Sequence, residues 1–175
     1  MVNIKGELSK NQTILLVMSS TSYNREIVSV IKKLAGKNVC YVTLNKTSDS
    51  LKELFKKNKV KLENIVFIDA ISKSIKSTPN QGESVYYVSS PGALTELSIS
   101  ISKFLNHNFD YLIFDSLTNM LIYEKGAPVS KFVSSLVNKI KQSKTKAVFY
   151  ALSAKEQDML IKESGTFVDK VVNVK

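Results

Sequence analysis

Residues 14–26 read Ile-Leu-Leu-Val-Met-Ser-Ser-Thr-Ser-Tyr-Asn-Arg-Glu, and the order of residue types in them sets the architecture. An apolar run of strand character over 14–17 gives way to small polar residues and then, from about Arg25, to helical periodicity. The unit is strand, loop, helix. Six apolar runs suit buried strands, at 13–18, 39–44, 65–69, 111–115, 147–152 and 167–174. Between them, segments 25–35, 48–58, 92–105 and 130–141 set apolar residues on one helical face, as Ile27, Val30, Ile31 and Leu34 do. Strands apolar on both faces, alternating with amphipathic helices, predict an α/β fold: a mostly parallel sheet with helices on both faces. Residues 72–83, rich in Ser, Lys, Thr, Pro, Asn and Gly, read as an exposed loop, with a short strand at 85–88 and a helix start at Ser90 and Pro91.

With 175 residues, 43% of them hydrophobic, the chain has material for one well-buried core, so residues 1–175 are read as a single domain. No apolar stretch approaches the roughly 18–20 residues that cross a bilayer, and the amino terminus has no signal-peptide design. A cytoplasmic protein without membrane insertion is expected. Cys40 stands alone inside an apolar strand and His107 is the sole histidine, so a His-based metal site or triad has no material and zinc is not expected. The net charge of +10 raises nucleic acid as a partner. Arg25 is the sole arginine, however, and lysines such as Lys32, Lys33, Lys52, Lys56, Lys139 and Lys141 lie at helix-surface spacing without interleaved aromatics. A solvated surface accounts for them.

In parallel α/β sheets ligands bind beyond the carboxyl ends of the strands, which singles out 19–25, 45–47, 69–72, 115–119 and 153–155. Laid on the phosphate-loop pattern G-x-x-x-x-G-K-[ST], the glycines fall on Ser19 and Asn24, the lysine on Arg25 and the hydroxyl residue on Glu26. Ser20, Thr21, Ser22 and Tyr23 fill the interval. A working loop needs glycines so that amides can wrap phosphates, a lysine for the outer phosphates and a hydroxyl for Mg²⁺. Only the positive charge survives, and a carboxylate at Glu26 repels anions where a helix amino terminus should attract them. An ordinary strand-to-helix turn is the competing account.

The segment Tyr111-Leu-Ile-Phe-Asp115-Ser116-Leu117-Thr118 resembles the Walker B strand of the RecA and KaiC-like ATPases, whose terminal aspartate holds the Mg²⁺ water shell. Tyr41-Val-Thr-Leu-Asn45-Lys46-Thr47 is similar to the family's second strand, and Phe167-Val-Asp169-Lys-Val-Val-Asn-Val174 to its closing strand. Ser89-Ser-Pro91-Gly-Ala-Leu94-Thr95-Glu96-Leu97 resembles a phrase of archaeal members that lack the phosphate loop. These landmarks run in family order. The resemblance implies a three-layer RecA-like fold with the strand order closing strand, 13–18, 147–152, 111–115, 39–44, 65–69. That order is read as putting two strands between Asp69 and Asp115, roughly 10 to 15 Å. Where the family carries catalytic glutamates, this chain has Asn45 and Lys46, neither able to activate water.

The expectation is therefore no enzyme and no cofactor. The chain reads as a pseudo-ATPase of archaeal, KaiC-like type, with no catalytic residue, that binds, scaffolds or regulates through a protein partner or self-association. One alternative is a remodelled pocket for ATP, another nucleotide or an anion, lined by Ser19 to Arg25. A further alternative is sequence-independent nucleic-acid binding through the lysines.

Overall fold

A computed structural model describes residues 2–174. Eight strands join in one sheet: β1 (Thr13–Met18), β2 (Val39–Thr43), β3 (Ile65–Asp69), β4 (Gln81–Gly82), β5 (Val85–Tyr87), β6 (Tyr111–Asp115), β7 (Lys146–Leu152) and β8 (Lys170–Asn173). Their order is β4-β5-β3-β2-β6-β7-β1-β8, parallel throughout except where β4 pairs antiparallel with β5. The six-strand order implied by the resemblance is the order observed, with β5 and β4 added beyond β3. The helices are α1 (Ile4–Lys10), α2 (Tyr23–Lys33), α3 (Ser48–Lys57), the single turn α4 (Ser72–Ile75), α5 (Leu94–Leu105), α6 (Leu117–Tyr123), α7 (Gly126–Lys141) and α8 (Asp158–Phe167).

Three layers follow from the period-two alternation of the strands. Ile14 and Leu16 of β1, Tyr41 of β2, Phe67 of β3 and Tyr150 of β7 pack with α1, α2 and α3. Leu15, Val42, Phe114 and Phe149 turn to the opposite face, against α5, α6, α7 and α8. Every residue of β1 is buried because both of its faces are covered, which is why that strand reads as an unbroken apolar run. On α2 the spacing of Ile27, Val30 and Ile31 forms one stripe, and burying each such side chain contributes about 1.5–3 kcal/mol. The α3 helix starts where Thr47 Oγ1 accepts from Ser50 N, with Asp49 in its first turn and Lys56 and Lys57 in its last.

Two polar staples fix the start of β1. Asp169 Oδ2 accepts from the amides of Gln12 and Thr13 and from Thr13 Oγ1, which sets β8 beside β1. Gln12 Nε2 reaches the carbonyls of Ile140, Ser143 and Thr145 at 2.8, 2.9 and 3.0 Å, tying β1 to the α7–β7 connection. Gln12→Ala is expected to lower unfolding free energy by about 1–2 kcal/mol in urea denaturation, since those carbonyls lose a protein donor. An unchanged midpoint would show that solvent replaces the staple in full.

The structure revises several segment assignments. The helix placed at Ser90 and Pro91 begins at Leu94, because Ala93 N donates to Ser90 O and closes a turn through Pro91 and Gly92. That turn lies tight on α6, so a Cβ at Gly92 would sit 3.2 Å from Tyr123 Cβ. Residues 72–83 contain α4 and β4 rather than loop alone, and the closing strand starts at Lys170 because α8 continues to Phe167. The short α1 has no counterpart in the sequence reading. Its signal is Ile4 and Leu8 one turn apart, both buried, behind an Asn3 side chain that caps Gly6 N. Only β2 separates Asp69 from Asp115, and both pair in register with Thr43, so they stand about 10 Å apart at two strand spacings.

Candidate functional site

The carboxyl ends of β1, β2, β6 and β7 converge on one cluster. The loop from β1 to α2 is four residues long, 19–22, and it closes on itself. Ser19 Oγ lies 2.9 Å from Thr21 Oγ1 and donates to Ser22 Oγ at 3.0 Å, while Ser22 donates from its amide and hydroxyl back to Ser19 O at 3.2 Å each. Hydroxyls fill the concavity that glycines leave open in a phosphate cradle. Ser20 and Thr21 point to solvent and Ser22 is buried.

Tyr23 opens α2 and is buried. Its phenol donates to Asp115 Oδ2, and Tyr41 from β2 donates to the same oxygen at 2.6 Å. Asp115 Oδ1 and the hydroxyl of Tyr150 on β7 are buried without a hydrogen-bond partner among the described residues. Burial pushes the Asp115 carboxyl up from 3.8 to about 6, against the pull of the two phenols and of Lys46. Burial and the Asp115 charge push Tyr23 and Tyr41 upward as well. The Lys46 ammonium lies 5.8 Å from the Tyr23 ring centroid, and Asn45 accepts from Asn119 Nδ2, which also donates to Leu44 O. Ser116 is buried, its Oγ 3.2 Å from Thr118 Oγ1.

Of the residues singled out from sequence, the structure brings Tyr23, Asn45, Lys46 and Asp115 together, with the closed loop 19–22 beside them. Glu26 is buried on α2 and pairs through Oε1 with Arg25 Nε at 3.0 Å. Arg25 and Asn24 face outward, away from Asp115. Sequence reasoning missed Tyr41 and Tyr150. Their signal is a tyrosine inside an otherwise aliphatic strand, a residue whose hydroxyl needs a partner when buried.

Asp69 provides the contrast. It is equally buried, yet it accepts from the amides of Ser48, Ile71 and Ser72 at 2.7–2.9 Å and from Ser72 Oγ at 2.6 Å. It works as a fully satisfied cap on two loops.

Among the described residues no three His, Cys, Asp or Glu side chains gather as a metal-ligand group. Asp115 Oδ2 is taken by two phenols while Oδ1 is buried without a partner among the described residues, and in the 19–22 loop the hydroxyls of Ser19 and Ser22 bond each other. No helix among the described residues is long and apolar enough to cross a membrane.

No family model matches this sequence, and no curated protein matches it. Solved structures do. The chain is similar to a KaiC-like protein from the hyperthermophilic archaeon Pyrococcus horikoshii OT3, with a TM-score of 0.62 and 11% identity over 94% of this chain and 72% of that one. It is also similar to a prototypical ATPase from the type III secretion system of pathogenic bacteria, with a TM-score of 0.58 and 13% identity over 94% of this chain and 52% of that one. The chain thus spans about half the length of the secretion ATPase. At such identities the likeness is one of fold, and the fold is RecA-like α/β. The expectation that the chain is no enzyme is corrected by these comparisons: one structure sharing its fold is an ATPase. Missing loop glycines are not sufficient ground for excluding catalysis.

Proposed function

We propose that this chain is a cytoplasmic RecA-fold binding module, a single domain that scaffolds or regulates by docking on a protein partner or on another copy of itself. The closure of the strand-end cluster carries the reading. Ser19, Thr21 and Ser22 bond one another and Tyr23 and Tyr41 both donate to Asp115 Oδ2, so this end of the sheet is packed with its own side chains and binding falls to the outer surface. Exposed apolar side chains support it: Ile122 of α6 and Met159 of α8 stand 71% and 73% exposed on that outer surface.

Size-exclusion chromatography with light scattering over a wide concentration range tests the proposal, together with chemical crosslinking before lysis and mass spectrometry of what stays attached. A concentration-dependent dimer, or one partner recovered in fixed stoichiometry, is the expected result. A strict monomer with no crosslinked partner would overturn it. Calorimetry with magnesium and ATP or GTP separates this reading from a remodelled nucleotide pocket, which requires saturable heat.

A further inference from the structure

Between α2 and α3 runs a groove of about 570 Å³, within the roughly 300–1,000 Å³ of ligand clefts. Its α2 wall carries Arg25, Val28 and Lys32, at helical spacings of three and four, so they form one stripe. Leu54 and Asn58 of α3 form the opposite wall. Arg25 and Lys32 stand two turns apart, about 10 Å at about 1.5 Å per residue, and the apolar pair Val28 and Leu54 lies between them. Lys33 adds a third cation, anchored by its ammonium on Val2 O. Among the described residues no carboxylate lines the groove. Arg25 uses Nε on the buried Glu26 and turns the remainder of a side chain that is 70% exposed outward, with its amino groups available to an incoming acid.

We infer that this groove docks an acidic amphipathic helix of a protein partner, one bearing carboxylates two turns apart with apolar residues between them. The spacing supplies the argument, because positions i and i+7 of a docking helix meet Arg25 and Lys32 while i+3 or i+4 meets Val28 and Leu54. Charge complementarity speeds the encounter, and the apolar floor adds affinity that salt does not screen. Single-stranded nucleic acid fits less well, because no aromatic ring lines the groove for base stacking. A membrane fits less well too, since a trough between two helices cannot lay its floor against a flat surface. The inference rests on the binding-module reading and names the chemistry of the partner.

Fluorescence anisotropy with a synthetic helical peptide of that pattern tests it directly, beside one peptide with its acids changed to lysine and one with its apolar residues changed to alanine. Saturable binding of the first alone is expected. Lys32→Glu, at an exposed position, should weaken binding at least tenfold with an unchanged thermal melt, and Leu54→Ser should weaken it with the salt dependence kept. No saturable binding, equal binding of the alanine peptide, or indifference to Lys32→Glu would overturn the inference. Tighter binding of a single-stranded oligonucleotide or of anionic vesicles would overturn it too. If the peptides fail while the chain still forms a dimer or a fixed complex, only the groove assignment falls. If the chain is a strict monomer without partners, the broader reading falls with it.

Discussion

Asp69→Ala should lower the unfolding free energy by about 3–5 kcal/mol, because four donors converge on that carboxylate in a site closed to water. Ser48 N closes the start of α3 on one oxygen, and the amides of Ile71 and Ser72 close the turn after β3 on the other. Hydrogen bonds to a charged acceptor contribute about 1.5–3 kcal/mol, and an orphaned buried donor costs about 1–3 kcal/mol. Alanine forfeits the first and incurs the second. The sign with pH follows from the same contacts. Burial works against ionisation, but the Ser72 hydroxyl and the Ser48, Ser72 and Ile71 amides outweigh it and hold the carboxyl below its ordinary 3.8. The stabilisation is therefore present above 3.8 and is lost as pH falls through the lower folded value. Urea denaturation at neutral pH reads the loss, and Asp69→Asn, which keeps one acceptor, should fall between the wild type and alanine. A loss below about 1 kcal/mol for alanine would mean that water reaches these amides, contrary to their burial.

The fold was legible because its cause is periodic. Strands covered on both faces must be apolar at every position, so β1, β2, β6 and β7 stand out as runs, and each amphipathic stripe marks a helix between them. Neighbour order is not periodic, and it came from colinear resemblance. Short elements escaped for the same physical reason: two turns at Ile4–Lys10 leave only Ile4 and Leu8 as a pattern, and α8 ends in Phe167, which reads with the apolar run of the closing strand. At the strand ends, chemistry and contact separate. Asp115, Asn45 and Lys46 were visible as a terminal acid and the residues across from it, since parallel strands bring their carboxyl ends to one edge. Tyr41 and Tyr150 were not, because an aromatic residue in an apolar run looks like core until its hydroxyl has a neighbour. In the sequence Tyr23 only fills the interval between two glycine positions, whereas its place as the first residue of α2 aims its ring at β6. Arg25 stands at the lysine position of the phosphate-loop pattern, and helix phase turns it instead to the groove shared with α3.

Asp115→Asn should abolish a pH dependence that the wild type carries in the direction opposite to that of Asp69. Two carboxylates level with Thr43, equally buried, differ in what reaches them. Asp69 receives three amides and a hydroxyl, while Asp115 receives two phenols on one oxygen and leaves the other bare. Burial wins at Asp115, and its carboxyl rises from 3.8 to about 6. The folded state then holds its proton more tightly than the unfolded chain, so the contribution to stability falls as pH climbs from 3.8 through about 6 and levels off above. That interval corresponds to about 3 kcal/mol in total, with about half of it lost between roughly pH 5 and pH 8. Burial also pushes Tyr23, Tyr41 and Tyr150 upward, so no phenol of the cluster titrates in this window. Asparagine keeps the shape, stays neutral, and lets each phenol donate to its carbonyl or accept from its amide. Subtracting the variant's urea stability from the wild type's at each pH cancels every other titrating group. The difference should move in the variant's favour by about 1–2 kcal/mol from roughly pH 5 to pH 8. A difference that stays constant would show that Asp115 ionises as freely as in the unfolded chain, with the two phenol hydrogen bonds fully offsetting its burial.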